Sequence, residues 1–273
     1  MRTATSELEL LQPKSLRDAL RMLREEKSLT PIAGCTDVYV DVNFGTLQPK
    51  RFLNLWNLDA LRKIEVKGKT LSIGALTTYT QMVRNKSVQK RLPMLVEASL
   101  EVGGVQIQNR GTLGGNIANG SPAGDSLPVL AVANAILVLK SLDGTRRVPF
   151  NEFYTGYRQS VLKKDELIAA IEFPPVMGKQ WFRKVGTRAA QAISKIVMAG
   201  VRSEQPRLSL GSVAATTIRL PKTEAVLASG GSIEKAQETL LKEINPIDDL
   251  RSTREYRRKV SANLLGRFWK ETR

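Results

Sequence analysis

Residues 103–125 read GGVQIQNRGTLGGNIANGSPAGD, and seven of the chain's 20 glycines fall within them. Glycine tolerates positive φ and lets another group approach the backbone closely. Here the glycines are interleaved with Asn109, Thr112, Asn116, Asn119, Ser121 and Asp125. Such a segment can aim successive N–H groups at one anion, a nest that holds phosphate without lysines. A second segment, Ile32-Ala33-Gly34-Cys35-Thr36-Asp37, offers amides beside a hydroxyl and a carboxyl. A dinucleotide pyrophosphate carries two charges and would be satisfied by two such turns. Neither segment matches GxGxxG, and no GxxxxGK(S/T) occurs, so neither the Rossmann fingerprint nor the P-loop is present. The residues alone give an anionic ligand held between two turns.

Histidine is absent and Cys35 is the single cysteine. That removes the Ser-His-Asp triad, the Cys-His pair and HExxH zinc sites. It also excludes an internal disulfide framework and an iron–sulfur cluster ligated by this chain alone. Difficult chemistry must therefore come from a cofactor. The formal net charge of +16 invites a nucleic-acid reading. The basic residues, however, are spread along the chain, with one cluster at Arg251, Arg254, Arg257, Arg258 and Lys259. A helix would distribute that cluster over more than one face. No helix-turn-helix, aromatic RNP strand or zinc spacing accompanies it, so nucleic-acid binding is not expected. An acidic protein partner or an anionic cofactor accounts for the charge equally well.

The elements that must position these turns are legible in outline. At 273 residues the chain exceeds the length at which one core stops growing, so two domains are expected. A helix is expected over 15–27, with Ser15 as cap, Asp18 in its first turn and an apolar stripe of Leu16, Ala19, Leu20 and Leu23. Residues 30–33 are short and apolar, 34–37 break the run, and 38–42 resume it. A strand is expected at 51–55, and a hairpin at 64–66 and 70–73 around Lys67-Gly68-Lys69. Helices follow at 78–90 and 94–102, then the Gly-rich loop, a helix or turn at 126–135, and strands at 136–140 and within 165–173. Pro174-Pro175, with Gly178 behind it, is the best candidate boundary. Beyond it, three apolar-alternating stretches at 181–185, 193–201 and 207–214 precede two or three helices, the last near 252–270. This is an α+β pattern. No apolar run approaches the roughly 18 residues of a membrane span. The N-terminal MRTATSELELLQ lacks the apolar stretch of a signal peptide. With one cysteine, a cytoplasmic location is expected.

Taken together, several motifs resemble one family. They are Pro31-Ile32-Ala33-Gly34-Cys35-Thr36-Asp37, Ile73-Gly74-Ala75-Leu76-Thr77-Thr78, and Gln108-Asn109-Arg110-Gly111-Thr112-Leu113-Gly114-Gly115-Asn116-Ile117-Ala118-Asn119 with Ser121-Pro122 and Asp125. Phe182-Arg183-Lys184-Val185-Gly186-Thr187-Arg188, Ala192-Ile193-Ser194 and Asn245-Pro246-Ile247 with Asp249, Arg251 and Tyr256-Arg257 continue the match in order. The chain resembles the FAD-binding medium subunit of molybdenum hydroxylases, the xanthine dehydrogenase and carbon monoxide dehydrogenase family.

The resemblance implies a bilobal FAD-binding domain of the vanillyl-alcohol-oxidase (PCMH) type over 1–175, with lobes near 1–56 and 57–175. A small α/β C-terminal domain of the CO dehydrogenase flavoprotein type would fill 178–273. Ile32, Ala33, Gly34, Cys35, Thr36 and Asp37 would hold the FAD pyrophosphate, with Thr112, Gly114, Gly115, Asn116 and Ala118 opposite. Asp125 would accept hydrogen bonds from cofactor hydroxyls, Leu167 and Ile168 would flank the adenine or ring edge, and Lys184 would lie near the flavin. Without the resemblance, Asp125 reads equally as a helix cap, Lys184 as surface charge and Cys35 as a small structural thiol. The family usually has a second glycine at Cys35, whose φ is then expected to suit a non-glycine residue. Some relatives carry a stacking aromatic near Val102, which valine cannot replace. The implied partners are a large molybdopterin subunit and a small 2Fe–2S subunit, with NAD or another electron acceptor. The run Val185-Gly186-Thr187-Arg188 followed by Gln191-Ala192-Ile193-Ser194 favours a purine substrate for the complex. A stand-alone flavin oxidoreductase on the same fold is the alternative.

Overall fold

The computed structural model describes residues 4–26 and 28–273. Its first unit is a parallel three-stranded sheet in the order Glu9–Leu11, Arg51–Asn54, Leu29–Ile32. Parallel neighbours need crossovers, and helices supply them here. The helix Leu16–Glu25 joins the outer strands, and Ser15 Oγ caps it by accepting from Asp18 N. The end of the expected helix at Lys27 lies outside the described residues. Ala19, Leu20 and Leu23 turn inward against Leu53, Leu55, Leu58 and Leu61. The apolar run after residue 37 is the helix Val38–Phe44, closed by Gly45 at φ 74.

The second unit is an antiparallel five-stranded sheet, Ile64–Lys67, Thr70–Gly74, Leu167–Phe173, Ile136–Ser141 and Gly144–Pro149 in spatial order. Its first pair is the expected hairpin, turned by Gly68 at φ 59. The helix expected over 78–90 is broken at Asn85, which ends Tyr79–Arg84 and caps Lys86–Arg91 with its side chain. The strand Leu167–Phe173 serves two cores. Leu167 and Ala169 pack with the first unit, whereas Ile168, Ile171 and Phe173 pack with the second.

The segment expected as one Gly-rich loop folds differently. It forms two short helices, Val105–Arg110 and Leu113–Asn119, joined through Gly111 and Thr112. Thr112 Oγ1 accepts from Gly115 N at 3.1 Å, while Thr77 O and Ala75 O accept from Leu113 N and Gly114 N at 3.1 and 2.8 Å. Carbonyls from a distant strand end thus satisfy the first turn of a helix that local propensity disfavours.

The third unit is an antiparallel sheet of Lys179–Val185, Ile196–Arg202, Arg207–Gly211 and Ile218–Arg219, followed by helices Pro221–Ala228, Ile233–Glu243 and Arg254–Glu271. Side chains alternate along its second strand. Val197, Ala199 and Val201 enter the core of the second unit, and Ile196 and Met198 enter the third core. Burial on both faces explains why residues 196–201 read as a continuous apolar run. Among the described residues, no helix is long and apolar enough to cross a membrane.

Candidate functional site

Residues of all three units line one cavity of roughly 1290 Å³. Typical pockets for drug-sized ligands span about 300–1,000 Å³, so the space suits a larger molecule such as a dinucleotide.

One wall is the turn between the strand Leu29–Ile32 and the helix Val38–Phe44. Leu55 N donates to Ile32 O at 2.9 Å and fixes where the strand ends. Among the described residues, the amides of Ala33, Gly34, Cys35, Thr36 and Asp37 donate to no protein acceptor. Cys35 sits at φ 62, in the left-handed region, and a run of consecutive amides without protein acceptors can serve an anion. The expectation that φ at position 35 suits a non-glycine residue is therefore corrected: the angle lies where glycine is favoured. Burial pushes the Cys35 thiol up, with Arg110 opposing it, so Cys35 stands as a thiol rather than a nucleophilic thiolate. A Cβ on Gly34 would fall 1.7 Å from the Arg110 carbonyl oxygen, so the two turns touch backbone to backbone.

The opposite wall is the helix Leu113–Asn119. Its first-turn amides are spent inside the protein, as described above, so the nest expected from its glycines is not formed there. What this wall offers is shape and side chains. Asn116 Oδ1 accepts from Ser126 Oγ at 2.7 Å, leaving its NH₂ for the cavity. Leu167 and Ile168 supply apolar surface at a bulged strand start. Beside them Glu166 takes a bidentate hold from Arg146 at 2.6 and 2.7 Å, which keeps its carboxyl below the usual range.

The C-terminal sheet closes the space. Lys184 Nζ donates to Asp125 Oδ2 at 2.6 Å and to Glu101 O at 2.8 Å. Their side chains are 3% and 10% exposed. Burial raises the Asp125 carboxyl to about 6, because desolvation outweighs the lysine. Asp125 Oδ1 has no hydrogen-bond partner within the protein. Ile32, Ala33, Gly34, Cys35, Thr36, Asp37, Thr112, Gly114, Gly115, Asn116, Ala118, Asp125, Leu167 and Ile168 all line the cavity. Lys184 does not; it stands behind Asp125.

Other lining residues were not singled out from sequence. Tyr79 is buried with its hydroxyl unpartnered, beside a Ser126 that already donates to Asn116. Tyr157 and Arg158 reach in from the turn of the hairpin Tyr154–Gly156 and Gln159–Ser160. A glycine followed by an aromatic and a cation was the sole local signal for them. Val102 also lines the space, among aliphatic neighbours rather than as a stacking platform. Among the described residues, no group of three or more His, Cys, Asp or Glu could hold a metal.

The family model for the FAD binding domain in molybdopterin dehydrogenase matches residues 6–176. The chain belongs to that family. The CO dehydrogenase flavoprotein C-terminal domain matches residues 181–272. The glyceraldehyde dehydrogenase medium chain of Sulfolobus acidocaldarius is 30% identical, covering 97% of this chain and 98% of that one. The xanthine dehydrogenase FAD-binding subunit of Escherichia coli O157:H7 is 32% identical over 89% of this chain and 88% of its own. A solved carbon monoxide dehydrogenase from Hydrogenophaga pseudoflava superposes with a TM-score of 0.90 at 27% identity, covering 96% of this chain and 95% of that one. This FAD-binding subunit is thus an oxidoreductase component, and the cavity fits the cofactor. The unspent amides suit a pyrophosphate, the unpartnered Asp125 oxygen suits a hydroxyl, and Ile32, Leu167 and Ile168 suit planar rings.

Proposed function

We propose that this subunit carries FAD in a heteromeric molybdenum hydroxylase. Electrons would arrive from 2Fe–2S clusters on a small subunit, fed by molybdopterin on a large one, and leave to an external acceptor, NAD by preference. FAD, when bound, supplies the exchange between one-electron and two-electron carriers. The observation that carries this reading is the run of five unbonded amides at residues 33–37 facing a dinucleotide-sized cavity.

The chain's own residues bind and orient. Amides 33–37 hold the pyrophosphate, with Thr112, Gly114, Gly115, Asn116 and Ala118 setting the opposing surface. Leu167 and Ile168 flank a ring and exclude water. Asp125 accepts from a cofactor hydroxyl, and Lys184 keeps that carboxylate ionised and aimed. Relatives of similar identity are named for glyceraldehyde and for xanthine, which supports a substrate chosen outside this chain. Among such substrates the 185–194 run favours a purine. We assign the units to residues 1–175 and 178–273, divided at Pro174-Pro175, and a cytoplasmic location.

The test is the visible absorption spectrum of the purified chain, with released cofactor identified by mass. Near-stoichiometric FAD is expected. A colourless protein that takes up no added FAD would overturn the assignment.

A further inference from the structure

Opposite the unspent amides stands a cation that nothing above has used. Arg158 occupies the tip of the hairpin formed by Tyr154–Gly156 and Gln159–Ser160, with φ 52. A non-glycine residue held there costs on the order of 1–3 kcal/mol and persists only where its surroundings enforce it. The enforcement is visible. Tyr154 OH donates to Ile117 O at 2.7 Å, its ring meets Phe150 and Phe153 edge-on, and Gly120 packs under the Arg158 backbone. Glycine would adopt this turn more easily, yet the position carries a charge.

The guanidinium is only partly committed. Nη1 donates to Asn119 Oδ1 at 2.5 Å and to Asn119 O at 3.5 Å. Among the described residues, Nε and Nη2 have no acceptor. Burial raises the Asp37 carboxyl, and Arg158 opposes that rise from nearby without forming an ion pair with it. The other cavity-lining arginines, Arg251 and Arg257, are both paired with Asp249. Without a cation here, the 33–37 turn would present the Asp37 carboxylate to an incoming anion.

We propose that Arg158 is a positioning residue for the pyrophosphate of the bound dinucleotide, and that it makes the site prefer FAD over flavins lacking that group. Its free donors complete the nest, and its charge offsets both Asp37 and the phosphates. The inference rests on the flavin reading above.

The test compares FAD and riboflavin binding to apoprotein by flavin fluorescence. Arg158→Gln is expected to raise the FAD Kd about tenfold or more, the scale of one charge-assisted hydrogen bond. Riboflavin affinity should stay unchanged, the salt dependence of FAD binding should weaken, and Arg158→Lys should recover part of the loss. Arg158→Gly guards against a folding artefact: it should raise the apoprotein Tm by relieving φ while still weakening FAD. Unchanged FAD affinity in Arg158→Gln and Arg158→Gly would overturn the proposal, as would an equal loss for both flavins or a loss confined to NADH-dependent turnover. A wild-type chain that binds no FAD would instead overturn the flavin reading on which it rests.

Discussion

Lys184 Nζ and Asp125 Oδ2 lie 2.6 Å apart, and the pair joins two separately packed parts of the molecule. Asp125 precedes the helix Leu127–Val132 in the second core, and Lys184 belongs to the strand Lys179–Val185 of the third sheet. The lysine's other bond, to Glu101 O, reaches back to the end of the helix Pro93–Leu100.

Removing one partner of a buried ion pair leaves the other charge uncompensated, at a cost of about 3–5 kcal/mol. Lys184→Met is therefore expected to lower stability on that scale in urea unfolding of the apoprotein. The double variant Lys184→Met with Asp125→Asn should lose less than the sum of the two single changes, because the pair is lost only once.

The same carboxyl makes cofactor affinity depend on pH. In the folded chain Asp125 is raised to about 6, above its unfolded value, so the native state holds this proton more tightly. For the apoprotein that contribution to stability is present below the unfolded pKa of about 4 and is lost as pH rises through about 6. Hydrogen-bond acceptance from a cofactor hydroxyl favours the ionised form, so binding expels the proton. FAD affinity should then fall as pH drops from 7 to 5, and Asp125→Asn should flatten that dependence. Fluorescence titrations at both pH values decide it; a wild-type Kd independent of pH would remove Asp125 from contact with the ligand.

Cys35 sits at φ 62, where a side chain costs on the order of 1–2 kcal/mol. Cys35→Gly is expected to raise the Tm by a few degrees, offset in part by glycine's unfolded-state entropy. FAD content should be retained. Cys35→Ala keeps the strain and should show no gain, which separates φ from loss of the thiol.

The sequence carried those parts of the fold whose signals are local. Ser15 and Asp18 announced the first helix, and Lys67-Gly68-Lys69 announced the hairpin. The 103–125 segment was misread as a loop because the carbonyls of Ala75 and Thr77, which support its second helix, are remote in sequence. The same contacts tie up the amides of Leu113, Gly114 and Gly115, whereas those of 33–37 stay free among the described residues. Lys184 was expected near the flavin by resemblance alone, and its pairing with Asp125 was not legible, since nothing local links residues 59 positions apart. Arg158 left only the weak Gly156-Tyr157-Arg158 signal, because an arginine at a hairpin tip reads as ordinary surface.

Three units facing one another across a ligand-sized gap have a consequence for how the subunit matures. A molecule that fills the gap touches all three, so the free energy of its capture adds to that of folding by mass action. Flavin supply then governs how much folded subunit accumulates, as well as how much of it can transfer electrons. A cell starved of the vitamin would lose the protein along with its activity.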